Sequence, residues 1–289
     1  MSTTMLKIIA LITMIIDHIG LYIPNTSEYL RYIGRISAPI FLFCSVLGYI
    51  NTHNKKKYLF RIYIFSIFMG FIDAIILVNA NYIRTIFITL IIIFFIDCFR
   101  NNIKFSKKYL KLFIIYQIVI NIFFIIYFAT YFINIPERLL MIIFPIFMVP
   151  MYMEYGVLFV LLGILMYIFI NSRKKFIISY IIITLCILLL QNTKILLYIQ
   201  RKGMIFLRNN EILKDFYELT IDLISSAYLD IQVIFLENNL WYMTQWLMIF
   251  ALPILLLYNG KKGKGFKYLF YIMYPLNIIL LNLISKVFT

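Results

Sequence analysis

The sequence predicts an all-α, polytopic integral membrane protein. Of its 289 residues, 64% are hydrophobic and 13% are charged, whereas soluble proteins are about half apolar and about a quarter charged. The apolar runs are separated by short basic clusters, and each approaches the roughly 20 residues that cross a hydrocarbon core about 30 Å thick. Runs such as IFITLIIIFFI (86–96) lack the two-residue alternation of barrel strands, so the spans are predicted to be helices.

Nine transmembrane helices are predicted along the chain. The first is expected to be a retained span, because no small-residue cleavage site follows its signal-like start. The segment 137–154 contains Pro145 and Pro150, which disrupt a regular helix, so it is expected to be re-entrant or interfacial. The predicted spans are 6–23, 36–52, 58–78, 84–99, 110–133, 155–171, 176–198, 239–258 and 266–288.

The net charge of +15 is best explained by membrane topology. The lysines and arginines lie in short loops between spans, which places the amino terminus in the cytosol and the carboxyl terminus outside a bacterial-type plasma membrane. The sequence lacks a basic patch interleaved with exposed aromatic residues, so no nucleic-acid partner is predicted. The three cysteines lie within apolar runs without metal-ligand spacing, so no metal site is predicted.

The segment 199–238 is predicted to be an outer amphipathic insertion within a single domain, 1–289. Four acidic residues in it follow a spacing of i, i+4, i+7 and i+11, which places them on one face of a helix. One interpretation is an interfacial helix with a solvated acidic side. The other is an acidic vestibule that binds a cationic acceptor. The four residues are Glu211, Asp215, Glu218 and Asp222.

Asp17 and His18 are adjacent ionisable residues within the first span. Placing such a residue at the centre of a transmembrane helix costs about 2.5–3.5 kcal/mol of insertion free energy, so it is a candidate functional group. The helical rise places His18 near the middle of the membrane, and adjacent side chains point about 100° apart, so each needs a partner from another helix. The candidates are Asp73 in the third span and Arg35 at the start of the second, with Arg31 one turn before it. Two structural alternatives are a buried Asp17–Arg35 ion pair and a hydrogen-bonded core histidine.

A second candidate site is the cytosolic stretch YNGKKGKGFKY (258–268). Gly260 and Gly263 permit close approach of backbone N–H groups to an anion, and Lys261, Lys262 and Lys264 supply positive charge, as phosphate sites require. The positive-inside bias explains the same lysines equally well.

Five stretches of the sequence form a recognisable set of motifs. They are LKIIALITMIIDHIG (6–20), RYIGRISAPIFLF (31–43), NTHNKKKYLFRIYIF (51–65), EYGVLFVLLGIL (154–165) and LPILLLYNGKKGKGFKYLFYIMYP (252–275). Together they resemble the TraX family, which is named for the conjugation protein that acetylates the amino terminus of F-type pilin. The positions that match the family pattern are Asp17, His18, Arg35, Pro39, Asn259, Gly260, Gly263, Tyr274 and Pro275. Relatives commonly carry a histidine where this chain has Asn277, and an SExPF motif where it has GFIDA, with Asp73 as a candidate substitute for the acid.

The resemblance implies a membrane acyltransferase that uses acetyl-CoA as co-substrate and needs no metal. His18 is expected to act as general base or acyl carrier. Asp17 is expected to support it, and Arg35 and Asn277 to stabilise an oxyanion. The stretch Asn259–Lys264 is expected to hold the phosphates of coenzyme A. The acceptor is expected to be a peptide amino terminus or an envelope glycan on the outer side of the bilayer.

Two other functions fit the same residues. In a proton-coupled transporter or export factor, Asp17, His18 and Asp73 would form a proton relay. In a scaffold for assembly or secretion, the acidic outer segment would be a docking surface.

Overall fold

The computed structural model describes residues 1–78, 81–101, 104–130, 135–193, 195–225, 229, 244–265 and 267–288. All regular elements in this part of the chain are helices, as the sequence predicted. In chain order they are α1 (Thr3–Tyr22), α2 (Tyr29–Gly34), α3 (Ser37–Ile50), α4 (Lys55–Ile76), α5 (Tyr82–Arg100), α6 (Lys104–Thr130), α7 (Glu137–Ile146), α8 (Gly156–Ile168), α9 (Arg173–Asn192), α10 (Ile195–Phe206), α11 (Glu211–Leu223), a 3₁₀ helix (Gln245–Phe250), α12 (Ala251–Leu256) and α13 (Lys267–Phe288).

Seven helices within the described ranges are long and apolar enough to cross a membrane. They are Thr3–Tyr22, Tyr29–Ile50, Lys55–Ile76, Tyr82–Arg100, Lys107–Tyr127, Arg173–Gln191 and Leu269–Val287. Two further predicted spans, 155–171 and 239–258, correspond to the shorter apolar helices Gly156–Ile168 and Gln245–Leu256, and residues 239–243 lie outside the described residues. A multi-pass membrane protein is therefore confirmed, but the count of nine spans is not.

Asparagine side chains fix where two of the long helices begin. The Asn54 Oδ1 accepts a hydrogen bond from the Lys57 N–H (2.9 Å), and the Asn81 Oδ1 accepts one from the Arg84 N–H (3.1 Å). Each bond satisfies a first-turn N–H group that has no partner within the helix. These caps explain why α4 and α5 begin two or three residues before the apolar stretches predicted from hydropathy.

As predicted, the proline-containing segment 137–154 does not form a straight transmembrane helix. Its helix α7 has ten residues, a length of roughly 15 Å, which is about half of the hydrocarbon core. Pro145 lies in the last turn, and Met148 then adopts a left-handed φ of 53°. Gly70 of α4 permits close packing against α7, since a Cβ at Gly70 would lie 2.6 Å from the Met141 carbonyl oxygen.

The chain divides into two compact units, which are described separately below. The first unit comprises Met1–His53, Leu165–Leu188 and Met243–Thr289, and the second comprises Asn54–Ile164 and Leu189–Tyr242. The first unit contains α1, α2, α3, most of α9, the 3₁₀ helix, α12 and α13. Its core includes the fully buried side chains of Leu6, Ile40 and Ile278, and the buried Tyr180 hydroxyl donates a hydrogen bond to the Met248 carbonyl oxygen (2.7 Å).

Candidate functional site

Asp17 and His18 are buried in the first unit, with relative exposures of 6% and 8%. Both lie on α1, which ends at Tyr22. By helical rise His18 is roughly 22 Å from Thr3 and roughly 6 Å from Tyr22. The pair therefore lies in the carboxyl-terminal half of α1.

His18 is held by Asn277 of α13. The Asn277 Nδ2 and His18 Nδ1 atoms are 2.7 Å apart, and both side chains are buried. The Tyr22 ring packs edge-on against the imidazole, with ring centroids 5.8 Å apart. As placed, the amide nitrogen faces Nδ1, and a half-turn of the amide would direct its oxygen there instead and reverse the donor and acceptor. The structure thus brings together two of the predicted catalytic residues.

Asp17 forms an ion pair with Arg31 of α2. The Arg31 Nη1 is 2.8 Å from the Asp17 Oδ2, and the same nitrogen lies 3.4 Å from the Asp17 carbonyl oxygen. Of the two arginines that the sequence placed at the start of the second span, Arg31 and not Arg35 makes this contact. Arg35 lies one helical turn later and still interacts electrostatically with Asp17. As predicted, Asp17 and His18 each have a partner from a different helix.

Gly34 explains how α2 comes so close to α1. A Cβ built at Gly34 would lie 2.5 Å from the Asp17 Cγ, a distance that real Cβ atoms essentially never show. The Asp17 carboxyl group therefore occupies the space that a side chain at position 34 would fill. Position 34 needs glycine because the Asp17 side chain, paired with Arg31, leaves no room for a Cβ there. The backbone conformation itself does not require glycine.

Arg35 is oriented by a residue that the sequence analysis did not select. Its Nε donates a hydrogen bond to the Thr244 Oγ1 (3.0 Å), just before the 3₁₀ helix. The next residue, Gln245, is buried. A polar Thr-Gln pair at the start of the apolar run 246–257 is the signal that points to these residues.

The lysine-rich loop 259–264 caps the amino terminus of α1. The Lys261 and Lys262 carbonyl oxygens accept hydrogen bonds from the Thr3 N–H (2.9 Å) and the Thr4 N–H (3.2 Å). These first-turn N–H groups have no acceptor within α1. Gly263 has a left-handed φ of 76°, and a Cβ there would lie 2.6 Å from the Ser2 Oγ. The glycine signal therefore has a structural cause, namely close approach to the start of α1.

The same loop presents its positive charge outward. The Lys261, Lys262 and Lys264 residues are exposed, while the Asn259 Oδ1 accepts a hydrogen bond from the Lys261 N–H (3.1 Å). The backbone of this loop is thus partly engaged within the fold, and its lysine side chains are what it offers to an anion. Phosphate binding by Asn259, Gly260, Gly263 and the lysines stays a prediction.

Asp73 lies in the second unit, where it is buried beside Arg84. Asp73 and Glu154 both interact electrostatically with Arg84, and the Arg84 guanidinium donates a hydrogen bond to the Tyr152 carbonyl oxygen. The sequence predicted Arg84 only as the first residue of the span 84–99, not as a partner of these carboxylates. A role for Asp73 beside His18 stays a prediction.

The acidic segment forms the helix α11, which also belongs to the second unit. Glu211 and Asp215 are exposed on it, and the Tyr217 hydroxyl donates a hydrogen bond to the Ile199 carbonyl oxygen of α10 (2.9 Å). The side chain of Asp222 and most of residues 226–243 lie outside the described residues. An amphipathic helix with an acidic side is therefore present, and acceptor binding by it stays a prediction.

The amino-terminal part of the chain is similar to a known protein family. Residues 2–133 match the family model described as TraX protein. A probable fimbrial assembly protein FimC, serogroup H1, of Dichelobacter nodosus is 37% identical over 70 residues, which cover 23% of this chain and 29% of that protein. The uncharacterized protein RP591 of Rickettsia prowazekii (strain Madrid E) is 35% identical over 102 residues, which cover 34% of this chain and 38% of that protein.

The chain spans about a third of the length of the curated relatives it matches. No solved structure matches it. The matched region 2–133 includes Asp17, His18, Arg31 and Arg35 of the first unit. The resemblance to the TraX family that the sequence motifs indicated is therefore confirmed over residues 2–133 of this multi-pass membrane protein.

Proposed function

We propose that this protein is an integral-membrane acyltransferase that moves an acetyl group from acetyl-CoA to an amine or hydroxyl acceptor. The observation that carries the proposal is a buried imidazole whose Nδ1 lies 2.7 Å from the Asn277 amide, next to the Asp17–Arg31 ion pair. An imidazole held in place by a side-chain hydrogen bond is the arrangement that general base catalysis requires. Its location within the TraX-like region supports this chemistry.

His18 is the general base in the proposed reaction. In this mechanism the Asn277 amide is turned by a half-turn, so that its oxygen accepts the Nδ1–H and the Nε2 lone pair takes the proton of the acceptor amine or hydroxyl. The acceptor attacks the thioester carbon, a C–N or C–O bond forms, and the C–S bond breaks. The proton then passes from Nε2 to the departing thiolate, which restores the neutral imidazole.

Two arginines supply positive charge beside Asp17, the neighbour of His18 in the sequence. Thr244 orients the Arg35 guanidinium by accepting from its Nε, and we assign Arg35 to the oxyanion of the tetrahedral intermediate. Arg31 instead neutralises Asp17. Asp17 therefore acts as a positioning residue that fixes α2, and with it Arg35, against α1.

The two substrates enter from opposite ends of α1 in this proposal. The exposed lysines of the loop 259–264 bind the phosphates of coenzyme A beside Thr3, on the cytosolic side. The long pantetheine arm then carries the thioester along α1, roughly 20 Å to His18. The acceptor, a peptide amino terminus or a glycan, approaches from the Tyr22 end of α1.

The first test is acetyl transfer by the full chain in lipid nanodiscs with radiolabelled acetyl-CoA. Replacing His18 with alanine is expected to lower turnover by about 10²- to 10⁴-fold, the usual contribution of a general base, without a matching loss of acetyl-CoA binding. His53→Ala is the matched control, since His53 is the other histidine of the chain and is exposed in a loop. Turnover that survives in the His18→Ala variant would remove the imidazole from the mechanism.

Variants of Asn277 test the direction of the imidazole hydrogen bond. Asn277→Asp keeps an oxygen that accepts the Nδ1–H, so it is expected to retain most of the turnover at neutral pH. Asn277→Leu removes the bond and is expected to lower turnover at least roughly tenfold, as loss of an orienting partner does. An aspartate variant no more active than the leucine variant would show that the Nδ1 atom is an acceptor in the working enzyme.

A further inference from the structure

A groove runs between α5 and α6 in the second unit, far along the chain from the polar residues of α1. It has a volume of about 650 Å³, which lies within the range of ligand pockets in proteins. Its walls are side chains from Ile92 to Arg100 on α5 and from Leu110 to Asn121 on α6, at spacings of three and four residues. One face of each helix therefore lines the groove along its length.

The groove has an apolar interior. The rings of Phe95 and Phe113 are in contact between the two helices, with centroids 5.0 Å apart. Two lining amides are engaged by the backbone, because the Asn121 Nδ2 donates to the Gln117 carbonyl oxygen (2.6 Å) and the Gln117 Nε2 donates to the Met148 carbonyl oxygen (3.4 Å). The remaining wall suits a hydrocarbon chain rather than a polar ligand.

The position of α6 favours an occupant from the bilayer. Only 6% of the apolar window within Lys107–Tyr127 is buried inside the protein, so this helix faces lipid along most of its surface. From Leu110 to Asn121 the groove extends roughly 16 Å, about half of a hydrocarbon core about 30 Å thick. This is the depth of one leaflet, so an acyl chain of that leaflet would fill it.

Positive charge gathers at one end of the groove. Arg100 ends α5, and the Lys107 Nζ near the start of α6 lies 5.8 Å from the centre of the Phe99 ring, which lines the groove. Asp97 of α5, which does not line the groove, forms an ion pair with Lys55. Other cations on the neighbouring helix ends are Lys56, Lys57, Arg61, Lys108 and Lys111. This end therefore complements an anionic headgroup.

We propose that the groove binds one anionic phospholipid, with an acyl chain between α5 and α6 and the phosphate between Arg100 and Lys107. The lipid completes the packing of α6 against the rest of the second unit. Ordinary boundary lipid would not select for headgroup charge or depend on the shape of the groove, so both properties distinguish the two cases. The proposal does not depend on the acetyl-transfer chemistry.

The test is native mass spectrometry of the full chain in detergent, titrated with phosphatidylglycerol or, separately, with phosphatidylcholine. One phosphatidylglycerol per chain is expected to remain bound under conditions that release phosphatidylcholine. Each cation near an anionic lipid surface contributes about fivefold to binding, so Arg100→Gln with Lys107→Gln is expected to weaken retention roughly 25-fold. The control, Lys174→Gln with Lys175→Gln, removes the same charge from exposed lysines of the first unit and is expected to leave retention unchanged.

A pair of tryptophan variants tests the groove itself. Ile114 and Ile115 are adjacent and similarly exposed, at 48% and 46%, but only Ile114 lines the groove. Ile114→Trp fills the space between the helices and is expected to abolish retention of phosphatidylglycerol, while Ile115→Trp leaves it unchanged. Equal retention of the two lipids, or retention unaffected by Ile114→Trp, would overturn the proposal.

Discussion

Replacing Gly34 with alanine tests how α2 holds Asp17. The new Cβ would lie 2.5 Å from the Asp17 Cγ, so one of the two groups must move. The Asp17 side chain is bonded to Arg31 and is only 8% exposed, which leaves it little freedom to rotate away. Extra volume in such a packed site costs about 1–3 kcal/mol. We expect Gly34→Ala to lower the free energy of unfolding by that amount.

A double-mutant cycle with Asp17→Gly attributes the cost to this contact. Glycine is needed, since the Asp17 Cβ alone would still be too close to the new methyl group. Without the Asp17 side chain, alanine at position 34 is expected to cost less than about 0.5 kcal/mol, because the two sites then no longer interact. The coupling energy should therefore nearly equal the cost of Gly34→Ala alone.

Unfolding of the purified protein in mixed micelles, followed as the denaturing detergent is increased, measures these free energies. Gly265→Ala is a suitable control, because no atom lies within 4 Å of a Cβ built there. A Gly34→Ala variant as stable as the control would refute the argument. So would a cost that stays the same in the Asp17→Gly background, since that result would locate the strain elsewhere in α2.

Two further predictions concern the ends of α1. Arg31→Gln removes the charged partner of Asp17. It is expected to lower the unfolding free energy by about 1.5–3 kcal/mol, the value of a hydrogen bond to a charged group. A cost below about 0.5 kcal/mol in the same assay would show that the ion pair adds nothing to stability. Gly263→Ala is expected to destabilise the protein more than Gly260→Ala, because both glycines have left-handed φ values (76° and 78°) but only the Gly263 methyl would meet Ser2. Equal losses in thermal stability for these two variants would show that strain at φ alone explains them.

Composition and periodicity were sufficient to predict the fold class and the need for partners. An aspartate and a histidine inside an apolar run must be satisfied by other helices, and α2 and α13 supply them. The sequence alone could not show which of Arg31 and Arg35 pairs with Asp17. The two arginines are four residues apart and lie on the same side of a helix, so spacing alone assigns them equally to Asp17. Gly34 decides between them by setting where α2 touches α1.

The errors in span boundaries have a related physical cause. The second span was predicted to begin at residue 36, but its apolar helix begins at Tyr29, before Arg31 and Arg35. Hydropathy counts both arginines against burial, although one is paired with a carboxylate and the other donates to Thr244. A charge that is paired within the fold loses most of its penalty, and that pairing is invisible to a sum over a sequence window.

The carboxyl-terminal part of the chain holds α1 at both ends, and this bears on how the candidate site works. The loop 259–264 accepts hydrogen bonds from the first turn of α1, and Asn277 of α13, the helix that follows the loop, contacts His18 near the last turn. An anion on the exposed lysines of the loop would therefore bind next to the first turn of the helix that carries the imidazole. The loop 259–264, α1 and α13 therefore form one continuous set of contacts from the first turn of α1 to His18. That arrangement accounts for a glycine-rich, lysine-rich loop in this position better than membrane topology alone, which explains the lysines but not Gly263.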